Sequence, residues 1–251
     1  MDAMLGTAVT IAAVAGAATW AGFQTMWPTS QVYGRAFCGL KPGSKLIALT
    51  YDDGPNDPHT PHLLDVLSSH GAKATFFMMG RQVQERPNIA RAVAAAGHEI
   101  GNHTYTHPNL IFCSRAQIEA QIRSCTQMLE DTIGAHSNLF RPPFGGRRPE
   151  VLSIARRLGL APIMWRITAF DWKPDSAEVI VDRVSRHVRG GDVVLMHDGG
   201  HLGMGADRAQ TVIATDRIIA RYKDEGYRFV TVSEMMAAAN STADIAESAK
   251  R

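Results

Sequence analysis

From Lys45 onward, short apolar runs bounded by Gly, Pro, Asn or Asp alternate with longer stretches whose apolar positions recur every three or four residues. The short runs predict strands at Leu46–Tyr51, Ala74–Met79, His98–Asn102, Leu139–Phe140, Ala161–Ile167, Val193–Met196 and Arg228–Val232. The clearest helix is Arg115–Ile133, where Ile118, Ile122, Cys125, Leu129 and Ile133 share one face. Ser114 and Gln117 form a capping box at its start, and Gly134 follows its end. Gly71, Gly97, Gly159, Gly190 and Gly226 likewise close helical stretches just before a strand. Repeated strand–helix alternation predicts an α/β domain whose parallel sheet is covered by helices on both faces, either closed towards a barrel or open and doubly wound. No glycine-rich phosphate loop follows the first strand, which disfavours a dinucleotide site.

The chain reads as a leading segment over 1–27, a Gly- and Pro-containing linker over 28–44, one domain over 45–237 and a small, polar tail over 238–251. Ala3–Phe23 carries no charge and is long enough as a helix to cross a bilayer. Its Ala, Gly and Thr content keeps it weakly apolar, and small-residue patterns such as Ala13-Val14-Ala15 suit a cleaved signal peptide. A membrane anchor, a signal peptide and an Ala-rich leading helix of a soluble protein therefore all fit, with the anchor favoured. Arg35, Lys41 and Lys45 follow the segment and would place an anchored domain in the cytoplasm by the positive-inside rule, against the cell-envelope location that the chemistry below suggests.

Composition changes this picture little. Lys and Arg total 26 against 24 Asp and Glu, so no basic field points to nucleic acid. Cys38, Cys113 and Cys125 are too few and too scattered for a disulfide framework or a thiolate zinc cage. A Cys113–Cys125 disulfide in an oxidising compartment and buried free thiols are both open.

The chemistry gathers at the ends of the strands. Asp52 and Asp53, His103 and His107, Arg141, Asp171 with Trp172, and His197 each follow a predicted strand, and in parallel α/β architectures those ends share one face. Adjacent strand residues point to opposite sides, so Asp52 and Asp53 can divide metal binding and proton transfer between them. His103 and His107 stand four apart, and Pro108 puts the pair on a turn rather than a helix. Two histidines and one aspartate leave open positions on an ion, as catalytic metal sites do and closed structural sites do not. Taken singly, each piece has a plainer reading: an Asp-Gly-Pro turn, a surface arginine, a core tryptophan or a structural histidine.

Together the segments resemble the NodB-like polysaccharide deacetylases, carbohydrate esterase family 4. The resemblance rests on Thr50-Tyr51-Asp52-Asp53-Gly54-Pro55, His103-Thr104-Tyr105-Thr106-His107, Arg141-Pro142-Pro143-Phe144, Asp171-Trp172 and Leu195-Met196-His197, in that order. It implies a distorted (β/α) barrel of about seven strand–helix units and metal-dependent removal of N- or O-acetyl groups from a polysaccharide such as peptidoglycan or chitooligosaccharide. It further implies that Asp53, His103 and His107 hold a divalent ion such as Zn²⁺, that Asp52 is the general base and His197 the general acid, and that Phe144 offers a backbone N–H to the oxyanion. Arg141 would position Asp52 and bridge to Asp171, while Trp172 and Leu195 would wall the acetyl pocket. Two positions depart from the family pattern: Phe144 replaces a usual Tyr, and Thr168 stands where many members have Asp. A deacylase of a lipid-linked sugar and a carbohydrate-binding pseudoenzyme are the alternatives.

Overall fold

The computed structural model describes residues 15–239. A helix α1 over 15–26 leads into β1 (Leu46–Asp52), α2 (His59–Ser69), β2 (Thr75–Met78), α3 (Gly80–Glu85), α4 (Pro87–Ala95) and β3 (Glu99–Asn102). There follow α5 (Arg115–Ile133), β4 (Leu139–Phe140), α6 (Pro149–Arg157), β5 (Ala161–Pro162), β6 (Ile167–Thr168), α7 (Ala177–Ser185), β7 (Asp192–His197), α8 (Ala209–Asp224), β8 (Arg228–Phe229) and α9 over 232–239. All strand pairs are parallel, in the order β5-β4-β3-β2-β1-β7-β6, with β8 beside the start of β1. The sheet curls into a distorted (β/α) barrel with one open side, between β5 and β6.

Alternation along the strands sorts the core. Ile47, Leu49 and Tyr51 of β1, Phe76 and Met78 of β2, and Val194 and Met196 of β7 pack outward against the helices. Ala48, Phe77, Val193 and Leu195 point into the barrel with Ile163, Met164 and Trp165. Thr50 and Asp52 continue the inward series of β1, so the strand that fills the core with alanine also delivers a carboxylate to its upper end.

Three expectations change at element boundaries. The single run Ala161–Ile167 is two strands at opposite edges of the sheet, because the chain crosses the open side between them. There the 28–44 segment contributes: Phe37 pairs with Ile163 and Gly39 with Asp192, and the Phe37 N–H donates to the Pro162 carbonyl at 3.0 Å. The strand expected over Arg228–Val232 stops at Phe229, since Thr231 and Glu234 cap each other's backbone N–H groups and start α9. Of the tail expected over 238–251, residues 238 and 239 belong to that helix and the rest lie outside the described residues.

The capping box of Ser114 and Gln117 is present on α5, and Gly134 closes that helix at φ 67°, the left-handed conformation a Schellman-type end requires. Cys38, Cys113 and Cys125 are all free thiols. Most of Ala3–Phe23 lies outside the described residues, and no described helix is long and apolar enough to cross a membrane.

Candidate active site

The carboxyl ends of the strands open into a cleft of about 850 Å³ lined by Asp52, Asp53, His103, His107, Phe144, Trp172, Leu195 and His197, among others. Every non-glycine residue with positive φ among those described lies on the connections leaving these ends: Asp53, Thr104, His107, Phe144 and Phe170. Such conformations are sparsely populated and persist where the surroundings over-determine them.

Asp53 shows what the strain accomplishes. Strand alternation alone would aim it away from Asp52, but Asp53 sits just beyond β1 at φ 73°, which swings its carboxylate back to the same side. His103 Nε2 then lies 3.7 Å from Asp52 Oδ2 and 3.5 Å from Asp53 Oδ1, and His107 Nε2 lies 3.2 Å from Asp53 Oδ1.

The two histidines ride on a loop pinned from both ends. The Asn102 side chain accepts from the Thr104 N–H at 2.8 Å and donates to Ile122 O and Thr126 Oγ1 on α5. Gln121 Oε1 accepts from the N–H groups of Tyr105 and Thr106, and Thr104 Oγ1 from that of His107. Helix α5 thus fixes the loop that carries the imidazoles.

This cluster fits a cation. One donor atom from each of Asp53, His103 and His107 lies within 4.8 Å of the others, and all three residues are buried. His103 Nδ1 bonds the Arg141 carbonyl at 2.8 Å; as donor there, it leaves the Nε2 lone pair free for the cluster. Asp53 Oδ1 is buried with no hydrogen-bond partner among the described residues. Burial and the nearby His103 push His107 down to about 3, so its ring is a neutral donor. Burial alone would raise Asp53, but His103, His201 and His107 override it and hold the carboxyl well below the usual carboxylate range.

Arg141 runs through the barrel interior, fully buried. Its guanidinium donates to Asp52 Oδ1 at 2.7 Å, to Thr50 Oγ1 at 2.8 Å and to the Met164 carbonyl, and it lies 4.0 Å over the Phe77 ring. Breaking such a buried pair typically costs about 3–5 kcal/mol through the charge left behind. The expected bridge from Arg141 to Asp171 is absent, because Asp171 is spent elsewhere. It accepts from the His197 N–H at 2.7 Å, from His197 Nδ1 at 2.9 Å and from Thr211 Oγ1 at 2.9 Å. Burial would lower His197, but Asp171 outweighs it and pushes the imidazole up to about 9. Asp52 and His197 are register partners on β1 and β7.

Leu195 is buried beneath this pair, and Trp172, half exposed, sets its ring edge-on to His197 with centroids 5.0 Å apart. Phe144 is half exposed on a tight turn, its ring against His107. Thr168 accepts from Trp165 Nε1 at 2.8 Å, so the position that departs from the family pattern orients a cleft-lining tryptophan.

Sequence reasoning passed over His201. Its ring stacks on His107 at 4.8 Å, meets Phe144 edge-on, and its Nδ1 lies 3.8 Å from Asp53 Oδ2. It stands four residues past β7, on the same strand-end connection as His197, and that position is the signal in the sequence that points to it. Met26, from α1, was missed as a cleft residue because nothing in its local sequence joins it to the domain.

Parallel strands delivering a buried Asp-His-His cluster, a second carboxylate held by an arginine and a histidine held charged by its own aspartate define a barrel hydrolase acting on acyl groups. The chain belongs to the polysaccharide deacetylase family, whose pattern matches residues 39–163. It is similar to a peptidoglycan-N-acetylglucosamine deacetylase of Bacillus cereus, 40% identical over 76% of this chain and 88% of that one. A chitooligosaccharide deacetylase of Sinorhizobium fredii is 37% identical over 74% and 89% of the two chains. Among solved structures, the Bc1960 peptidoglycan N-acetylglucosamine deacetylase superposes with a TM-score of 0.74 at 37% identity, covering 80% of this chain and 91% of that one. BA3943 of Bacillus anthracis, a pseudoenzyme of carbohydrate esterase family 4, gives the same TM-score at 32% identity, over 80% and 68%.

Proposed function

We propose that the protein hydrolyses the N-acetyl groups of N-acetylglucosamine units in a polymer such as peptidoglycan or a chitooligosaccharide. The named relatives act on such polymers, and one observation carries the reading: Asp52 and His197 face the cleft from adjacent strands, the first held by Arg141 and the second kept protonated by Asp171. A pseudoenzyme that only bound sugar would need neither.

Amide hydrolysis needs an activated nucleophile, a stabilised oxyanion and a proton for the departing amine. Asp53, His103 and His107 would hold a divalent ion, Zn²⁺ by their mixed nitrogen and oxygen donors, which when bound acidifies water and polarises the acetyl carbonyl. Asp52, oriented by Arg141, would take the proton of the attacking water. The Phe144 N–H would donate to the oxyanion, a contact whose loss typically costs about 3–4 kcal/mol in the transition state. His197 Nε2 would then protonate the amine, its Nδ1 remaining on Asp171. Trp172 and Leu195 would enclose the acetyl methyl.

Acetate release from peptidoglycan and from acetylated chitooligosaccharides, with and without a chelator, tests the reading; no release from either polymer would overturn it. A lipid-linked sugar is the second substrate to assay, because Met26, Met204 and the strongly exposed Leu202 add apolar surface to the cleft lining. A cell-wall substrate would place the protein in the cell envelope, which fractionation of cells tests.

A further inference from the structure

Arg147 is fully buried, yet no carboxylate among the described residues pairs with it. Its guanidinium is spent on backbone carbonyls instead. Nη1 donates to Gly145 O at 3.1 Å, and Nη2 donates to Ser30 O at 3.0 Å and to Trp27 O. Its own backbone N–H donates to Thr25 O at 3.2 Å. One planar fork therefore ties the end of α1 and the turn after it to the turn that carries Phe144. A buried cation satisfied by carbonyl dipoles and, through Nη1, by the Met164 sulfur at 4.0 Å, with no carboxylate, is costly, and neutral packing would hold two segments together with less penalty. What the guanidinium adds is direction, because its donors diverge at fixed angles and set the carbonyls they meet.

The turn held in this way has little freedom. Phe144 is at φ 58°, and at Gly145 an added Cβ would meet Trp165 at 2.7 Å. The N–H groups of Gly145 and Gly146 return to the carbonyls of Pro142 and Pro143. The same arm supplies Met26 to the cleft wall.

We infer that Arg147 is a positioning residue for hydrolysis: with residues 25–30 it locks the Pro143–Gly145 turn so that the Phe144 N–H meets the developing oxyanion. The inference rests on the deacetylase reading above. Misplacing a reacting group by about an ångström costs roughly 10²-fold in rate. The test compares Arg147→Met and Arg147→Lys with the parent in the full chain, by steady-state kinetics on a chitooligosaccharide, Zn²⁺ affinity and hydrogen exchange over residues 143–146. Arg147→Met is expected to lower kcat about 10- to 100-fold, with KM and Zn²⁺ affinity within about threefold and faster exchange in the turn. Arg147→Lys, which keeps a donor but not the fork, is expected to fall between Arg147→Met and the parent. A kcat within threefold of the parent, a loss that follows Zn²⁺ affinity, or unchanged exchange over 143–146 would overturn the inference. If Arg147→Met does not fold, the same readings on Arg147→Lys decide. If the parent itself releases no acetate, the deacetylase reading fails, while exchange over 143–146 still shows whether Arg147 holds the turn.

Discussion

His107 follows β3 and His197 ends β7, with β2 and β1 between these strands in the sheet, and each imidazole touches an aspartate. Burial and His103 nevertheless push the first down to about 3, whereas Asp171 carries the second up to about 9. The difference lies in what surrounds each ring. Asp53 stands 3.2 Å from His107, but burial and the neighbouring His103, His201 and His197 outweigh its pull. Asp171 gives one oxygen to the ring of His197 and the other to the backbone of that residue and to Thr211. Burial among like neighbours leaves His107 a neutral donor suited to a cation, and one carboxylate reserved for a single ring keeps His197 charged, as an acid requires.

The strongest way to break this contrast is to remove a neutral donor. His107→Ala should abolish Zn²⁺ binding and reduce acetate release to the chelator-treated level, with calorimetric titration as the check. Asp52→Asn should lower kcat by about 10²–10⁴-fold while Zn²⁺ still binds, which separates the base from the ion's own ligands. Normal turnover in that variant would refute the base assignment.

Asp171→Asn strikes the charged side. In the parent, activity dependent on protonated His197 should persist from neutral pH and fall as pH rises through about 9. Without the carboxylate the alkaline limb should move to or below the ordinary histidine value of 6.5, lowering kcat at pH 8 by roughly 30-fold. Stability carries the same sign. Because the folded-state value of His197 is raised, its pairing with Asp171 contributes fully below about 6.5 and is lost as pH rises through about 9, and Asp171→Asn should flatten that part of the thermal unfolding profile. The smallest effect belongs to Phe144→Tyr, which restores the usual family residue on an unchanged backbone N–H. Its kcat/KM should stay within about threefold of the parent, and a larger loss would shift the role from the backbone to the ring.

The contrast between the two sides was half visible in the sequence. The strand ends named Asp52, Asp53, His103, His107, Asp171 and His197, because short apolar runs bounded by turn residues locate strands and parallel topology gathers their ends. Reading partners was harder. Arg141 was assigned to both Asp52 and Asp171, and only the geometry shows Asp171 fully engaged with His197 and Thr211. Asp53 was aimed by strand alternation, which fails one residue past β1 where φ turns positive. The run Ala161–Ile167 was split by a tertiary demand, the crossing of the open barrel, that no local pattern encodes. Gln121 and Arg147 were illegible for a similar reason: each acts on backbone groups remote in sequence, and neither stands at a strand end.

The register of β1 and β7 has a kinetic corollary. Each turnover would leave Asp52 holding a proton it did not begin with and His197 lacking one, so the enzyme must reset before it can act again. Because Asp52 and His197 are cross-strand neighbours, their backbones are separated by one ladder spacing, about 4.8 Å. That span is set by main-chain bonds rather than by the loops above it. A single solvent molecule between the two side chains would return the proton, and loop exchanges that change which polymer is accepted should leave this recovery step untouched.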